Sequence, residues 1–514
     1  MQSRTSPLEA VVRHASFAYL SILFLVLAFL TALFLMGING FGFADVLHVG
    51  AFDIAVISLG IWLTAVTVWW VRRQGRLDPF EIPVWFSLNV YGQVVFNVWL
   101  FQRNQVPAIP WLYDAYEPKM ALAVLLMGVG LTSLWAGYVW ASRRMGRLQR
   151  PVASITGPIR APVAVVIWLL CTLAGVWAQI SGVYGYLAPV SNWEWQRYIV
   201  LVDSVGWVAF AALSLHHFSR PTLIGWMWLV TAATSAVALD LVSARRTLAM
   251  TFIWLVLFVY YATRKLPWRW LAIGALLVFL LLPTVNAIRW NLSTQNRDGS
   301  LLVRLGTVIQ SLQEVVTSPL SDLLDETILT FQNRQGGLLY ITASVMTIHP
   351  TQVPFVSAEM LQYLSIQLIP RVIWPGKPAG QPNLYMITTT YWGGLEEYYR
   401  FSAIGQFADS YRVGGWVFVL LWFIALGALS AWLYYQGPGR NNLAGTVFYF
   451  FILSRVITYD NNIASLTLDL LQAAPLIWIL TTFVMFSPRR ASVRHRRSLL
   501  AENRAWLVLQ HYEK

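Results

Sequence analysis

Residues able to do chemistry crowd into one stretch, Leu368 to Trp416, of a chain that is otherwise 57% apolar. Arg371, Trp374, Lys377, Arg400, Asp409, Tyr411 and Arg412 lie within it, together with Glu396 and Glu397. Pro370, Pro375 and Pro378 each fix φ and remove a backbone donor, which predicts a rigid, non-helical loop at the start of the stretch. Aromatic faces beside cationic side chains suit pyranose rings that carry phosphate, because guanidinium forks match phosphate geometry. The blander reading is a structural lid on a membrane bundle.

Glycosyl chemistry on such a substrate needs two further things. An attacking sugar hydroxyl must lose a proton as it bonds to the anomeric carbon, so a carboxylate or imidazole must reach it from the loop side. His349, Glu396, Glu397 and Asp409 are the candidates, and Glu194 belongs to a separate loop. Asp409 stands first, because partial desolvation where the loop re-enters an apolar run would raise its pKa toward neutrality. His349 has the better intrinsic pKa but precedes Pro350 at a helix end, a position that also suits a structural role. Tyr411 can present a ring or hydroxyl to the same sugar. Charge developing on a leaving diphosphate needs fixed positive groups, and Arg245, Arg246, Arg289 and Arg371 are predicted to face a common cavity for that purpose. No Asp-x-Asp motif occurs in any predicted outer loop, so no metal and no cofactor is expected.

The elements that must position these groups are membrane helices. Only 11% of residues are charged and the mean hydropathy is +0.57, values of a polytopic membrane protein. A single cysteine, Cys171, excludes an intrachain disulfide. The formal charge of +13 comes from short basic clusters between apolar runs rather than a patch with nucleic-acid spacing, so no nucleic-acid partner is expected.

Apolar runs predict about twelve transmembrane helices, at 16–37, 51–71, 82–102, 120–142, 162–182, 198–216, 222–241, 247–263, 270–288, 413–435, 443–458 and 466–486. The first is too long for a signal-peptide core and reads as an uncleaved span. Arg72, Arg73, Arg143, Arg144, Arg147, Arg264, Lys265 and the arginines after 487 all fall on one predicted side, which makes that side cytoplasmic and places both termini there. The division expected is an N-terminal bundle of nine helices (1–288), a large, partly helical extracytoplasmic loop between helices nine and ten (289–412), C-terminal helices (413–486) and a basic cytoplasmic tail (487–514). Within the large loop the apolar run 338–348 is too short to span and should lie on, or dip into, the outer leaflet.

Charges inside spans are costly and therefore informative. Asp203, Asp240, Arg245, Arg246, Arg289, Arg455, Asp460 and Asp469 all fall near outer helix ends, where the diphosphate of a polyprenyl-linked substrate is expected. Salt-bridge glue, such as Asp240 with Arg245, is the plainer account of any single pair.

The Ile-Pro-Arg-x-x-Trp-Pro-x-Lys-Pro block at 369–378 resembles the signature of oligosaccharide repeat-unit polymerases of the O-antigen polymerase type. Three other features resemble that family: the Ser-Ala-Arg-Arg-Thr run at 243–247, the tyrosine- and glycine-containing loop 183–197 with Tyr186 and Arg197, and Asp409-x-Tyr411 followed by Gly414-Gly415. The chain departs from the pattern at Arg412-Val413, where members commonly show Asn. The resemblance implies metal-independent glycosyl transfer on the outer face of the bacterial inner membrane. A growing glycan on polyprenyl diphosphate would be the donor, and a lipid-linked repeat unit would supply the hydroxyl. The residues and the resemblance together give a site of Asp409, His349 and Arg371 for catalysis, with Arg245, Arg246, Arg289, Arg400, Arg412, Lys377, Trp374, Tyr411, Arg197 and Tyr186 on the substrate. Implied partners are the polyprenyl-diphosphate-linked oligosaccharide and the bilayer, with a chain-length regulator and a flippase alongside.

Competing readings share much of this plan. An O-antigen ligase would carry the same helices and the same arginine-rich loop. A polyprenyl-monophosphate glycosyltransferase would carry acids in a longer first loop than the one holding Asp45 and Asp53. A non-catalytic transporter of lipid-linked oligosaccharide would line its lumen with basic residues through the membrane thickness, whereas the first five predicted helices hold no internal charge but Asp53.

Overall fold

In a computed structural model of the chain, the residues described are 43–74, 78, 80–92, 94–95, 110–147, 156–181, 193–242, 248–263, 269, 272–274, 283–289, 291, 301–319, 321–322, 338–369, 374, 404–440, 442–457 and 462–488. Among them the structure is almost entirely helical. In chain order the helices are α1 (Phe43–Gln74), α2 (Ile82–Val90), α3 (Pro110–Arg147), α4 (Ala161–Ile180), α5 (Trp193–Ser219), α6 (Leu223–Val242), α7 (Leu248–Thr263) and α8 (Leu301–Thr317). They continue with α9 (Leu338–Ile348), α10 (Ser357–Leu368), α11 (Gln406–Gln436), α12 (Leu443–Ile457) and α13 (Ile463–Ile479).

Among the described residues seven helices are long and apolar enough to cross a membrane: Phe52–Gln74, Lys119–Met145, Ala161–Ile180, Tyr198–Ser219, Leu223–Val242, Gln406–Gln436 and Leu466–Met485. That number of apolar helices marks a multi-pass membrane protein. Four of the other predicted spans are shorter or only partly described: 82–102 as α2 and a following turn, 247–263 as α7, 270–288 in two pieces, and 443–458 as α12. The predicted first span, 16–37, lies outside the described residues. Leu169, Leu170 and Leu173 of α4 and Ile224, Met227 and Val230 of α6 are exposed, as an outward face turned to lipid requires.

α3 and α11 form the most extensive helix pair. Their backbones meet at two glycines: a Cβ on Gly137 would strike the Ile424 carbonyl oxygen, and one on Gly427 would strike the Leu134 carbonyl oxygen. Small residues at such a crossing let two membrane helices touch along their main chains.

At one end of this pair a polar network locks five helices together. Trp70 Nε1 and Tyr138 Oη (3.1 Å) both donate to the Glu81 carboxylate. Tyr434 Oη donates to Asp78 Oδ2 at 2.6 Å, the Phe80 N–H donates to Asp78 Oδ1 at 3.0 Å, and Tyr449 Oη donates to the Phe80 carbonyl. Asp78 and Glu81 are buried, and these donors offset the desolvation of their charge. At this end, too, a two-stranded antiparallel pair, β1 (Thr156–Ile159) with β2 (Phe486–Pro488), joins the chain ahead of α4 to the end of the last helix. The Arg160 N–H extends the pair to the Met485 carbonyl at 2.7 Å.

The run 338–348, expected to lie on or dip into the outer leaflet, is packed in the helix bundle with its side chains buried. Leu339, Ile341, Ala343 and Val345 are at most 1% exposed and belong to the main core with residues of α3, α5, α11 and α12. The sequence supplies the reason: a helix apolar on every face finds more burial inside the bundle than on its surface.

Candidate functional site at the break in α11

α11 is two helical segments divided at Gly414–Gly415. Gly414 takes φ −164° and ψ 31°, and Gly415 takes φ +64° and ψ −156°. Only glycine occupies the second conformation without strain, and a Cβ there would also sit 3.0 Å from Phe355 Cζ. Expected to start at 413, the helix begins at Gln406, and the break sets its first two turns, 406–413, apart from the long rod beyond. Every residue of those two turns is buried.

Asp409 and Arg412 pair within them. Oδ1 of Asp409 accepts from Nε of Arg412 at 2.8 Å and from Nη2 at 2.7 Å. Oδ2 accepts the Ile463 N–H at 2.6 Å, so the carboxylate also caps the N-terminus of α13. The Arg412 carbonyl accepts the Val356 N–H at 3.1 Å, just ahead of α10. Asp409 is 0% and Arg412 4% exposed. Removing either partner of a buried pair leaves an uncompensated charge, which costs about 3–5 kcal/mol.

His349 follows α9 directly and is buried beside this pair. Its Nδ1 lies 3.1 Å from the Pro354 carbonyl oxygen. A carbonyl can only accept, so Nδ1 is the donor in this contact. Burial lowers the imidazole pKa below its ordinary value, and the nearby Arg412 charge lowers it further, partly opposed by the bonds to Pro354 and Val353. His349 is therefore held neutral. Its ring stacks on Phe355 at 6.2 Å and 9°, Phe355 meets Tyr411 edge-on at 5.8 Å, and Tyr411 meets Trp416 at 6.1 Å and 88°. The result is a neutral base, a buried ion pair and an aromatic chain at one helix break.

Of the residues expected at a site, the structure thus brings together His349, Asp409, Tyr411 and Arg412. Trp374 is exposed at 39%. Arg289 ends a helical stretch, 283–289, and is half-buried. Arg197 lies in the first turns of α5, with its side chain outside the described residues. Tyr186, Arg245, Arg246, Arg371, Lys377, Arg400, Glu396 and Glu397 also lie outside them. Of the four arginines expected to face a common cavity, Arg289 alone is among the described residues. Among the described residues no group of three or more His, Cys, Asp or Glu side chains is placed to hold a metal.

Phe355 and Gln406 were not anticipated. Phe355 gave no motif signal. Gln406 is 0% exposed and donates from Nε2 to the Val456 carbonyl at 3.3 Å, tying the broken end of α11 to the last turn of α12.

Residues 221–457 match the model of a family described as Domain of unknown function (DUF8712). The match contains His349, Asp409 and Arg412 and omits α4 and α5. No curated protein matches the chain, and no solved structure does.

Proposed function

We propose that this protein is a metal-independent glycosyltransferase that polymerises polyprenyl-diphosphate-linked oligosaccharide repeat units at the extracytoplasmic face of a bacterial inner membrane. In this reading it is a protein of about twelve spans with both termini cytoplasmic. The observation that carries the reading is the neutral His349 near the Asp409–Arg412 pair at the break in α11.

In this mechanism Nε2 of His349 takes the proton of the attacking hydroxyl, which is general-base catalysis by a group whose intrinsic pKa suits neutral pH. Asp409 serves as a positioning residue. Three donors on its two oxygens spend it on holding Arg412 and the start of α13, which favours the histidine over the aspartate as base. Tyr411 and Trp416 offer ring faces to a sugar. Because Asp409 offsets the Arg412 charge, the leaving diphosphate is met by other cations: Arg371, Lys377, Arg400, Arg245, Arg246 and Arg289.

The test is glycan length in cells. His349→Gln, expressed to the wild-type level, leaves single repeat units on their final acceptor if the protein polymerises. Loss of all transfer to that acceptor identifies a ligase, and long chains from the variant overturn the site.

A further inference from the structure

α8 packs on the end of a membrane span. Val308 packs with Ile288, and Leu312 and Leu241 close on that pair. Leu241 is the last residue but one of the span Leu223–Val242. Nδ2 of Asn291 donates to Ser311 Oγ at 3.1 Å and to Glu314 Oε2 at 3.2 Å. These contacts fix both the place of α8 and its rotation about its own axis.

With the rotation set, residues 305–317 divide into three strips along a helix of about 3.6 residues per turn. Thr307, Val308, Ser311 and Val315 are buried and form the packed strip. Gln310, Gln313, Glu314 and Thr317 form an exposed polar strip. Leu305, Ile309, Leu312 and Val316 follow one another at steps of four, three and four, so they form a third strip, and it is apolar. Leu312 borders the packed side and is half-buried, while Ile309 is 58% and Val316 81% exposed. Single exposed apolar residues are ordinary, but a row of them along one helix marks a surface made for a partner.

The position of α8 selects that partner. A helix on a water-soluble domain needs two faces, one for protein and one for water. A helix lying along a bundle at a membrane surface needs three, for protein, lipid and water. α8 has three, and it meets α6 at the level where a span ends. At about 1.5 Å per residue it is about 25 Å long, short of a hydrocarbon core of about 30 Å, and its polar strip bars it from spanning. The polar strip holds no Lys or Arg, so attraction to anionic headgroups is not what would hold the helix there.

We infer that α8 is an interfacial helix, lying along the bundle in the leaflet at the Val242 end of α6, with Leu305, Ile309 and Val316 among acyl chains and Gln310, Gln313 and Glu314 in water. Its partner is the bilayer, recognised by apolar contact. The inference needs only the membrane spans, so it stands whether or not the chain transfers sugar. Its consequence is that the chain leading to His349 is fastened to the membrane surface.

The test places a nitroxide on each strip. Ile309→Cys, Val316→Cys, Gln310→Cys and Gln313→Cys are made singly in a Cys171→Ser background, at side chains that are all exposed, so packing is undisturbed. The full-length protein is spin-labelled in nanodiscs of phosphatidylcholine, with and without phosphatidylglycerol. Power-saturation EPR then compares collisions with oxygen, which concentrates in lipid, and with nickel ethylenediaminediacetate, which stays in water. The ratio of oxygen to nickel collisions should be severalfold higher at Ile309 and Val316 than at Gln310 and Gln313, in both lipids. Nickel dominating at all four positions puts the apolar strip in water and overturns the inference, and oxygen dominating at all four does so by immersing the whole helix. Shielding of Ile309 and Val316 from both reagents also overturns it, because protein then covers the strip, either segments 292–300 and 323–337 of this chain or a second copy. A pattern that appears only with phosphatidylglycerol overturns the apolar basis of the contact.

Discussion

Oδ2 of Asp409, in the first turn of α11, accepts the backbone N–H of Ile463, at the start of α13, at 2.6 Å. One carboxylate thus neutralises a buried guanidinium and anchors the beginning of another membrane helix.

Replacing Asp409 by Ala should therefore act first on stability. The expected loss is about 3–5 kcal/mol, because Arg412 is left buried and unneutralised. The double variant Asp409→Ala with Arg412→Leu should recover part of it. A double-mutant cycle by denaturant unfolding in detergent checks this, and additive losses would show that the two residues do not act as a pair.

His349 gives a prediction about pH. Its folded-state pKa is lowered, so the unfolded chain binds more protons just below the ordinary histidine value of about 6.5. Its contribution to stability is thus complete above that value and declines as pH falls through the lowered one. Polymer formation by isolated membranes should follow the same order, with an acid limb whose midpoint lies below about 6.5. A midpoint above that value counts against a neutral His349 as base.

Orientation is open to a direct experiment in a Cys171→Ser background. Thr351→Cys, exposed beside His349, should react with an impermeant maleimide in intact cells. Gln74→Cys, exposed at the end of α1, should react only after permeabilisation. The opposite pattern inverts the proposed topology.

The tyrosine network at the other end should prove structural. Tyr434→Phe removes the 2.6 Å bond to Asp78 and should cost about 1–3 kcal/mol, while leaving glycan length unchanged in protein that folds. Shortened glycan at normal protein level would give this network a functional role.

Much of this was legible in the sequence, for physical reasons that also mark where legibility ended. Spans such as Ala161–Ile180 announce themselves because lipid demands an unbroken apolar run. For the segment 338–348 composition suits a bundle interior as well as a leaflet surface, and only packing shows that its side chains are buried among other helices. Asp409, Tyr411 and Arg412 were singled out, but as part of a loop. That Asp409 and Arg412 stand one helical turn apart depends on a start at Gln406 that no apolar periodicity marks. The shared depth of Asp203, Asp240 and Arg455 could be read from their places in each span. Their convergence on one cavity among α4, α5, α6, α7 and α12 could not, because it depends on which helices are neighbours.

The glycine crossing of α3 and α11 has a mechanical consequence. Main chain rests on main chain at Gly137 and Gly427, so the two rods have no side-chain cushion along which to slide, and that crossing behaves as a fulcrum. The joint in α11 lies above it, at Gly414–Gly415. His349 and Asp409 are both 0% exposed, so under the proposed function a sugar reaches them only when something on that side swings. The two turns 406–413 are the short arm of this lever. Through Asp409 and Gln406 they are strung to the start of α13 and the end of α12, so when the arm moves both ends are pulled with it.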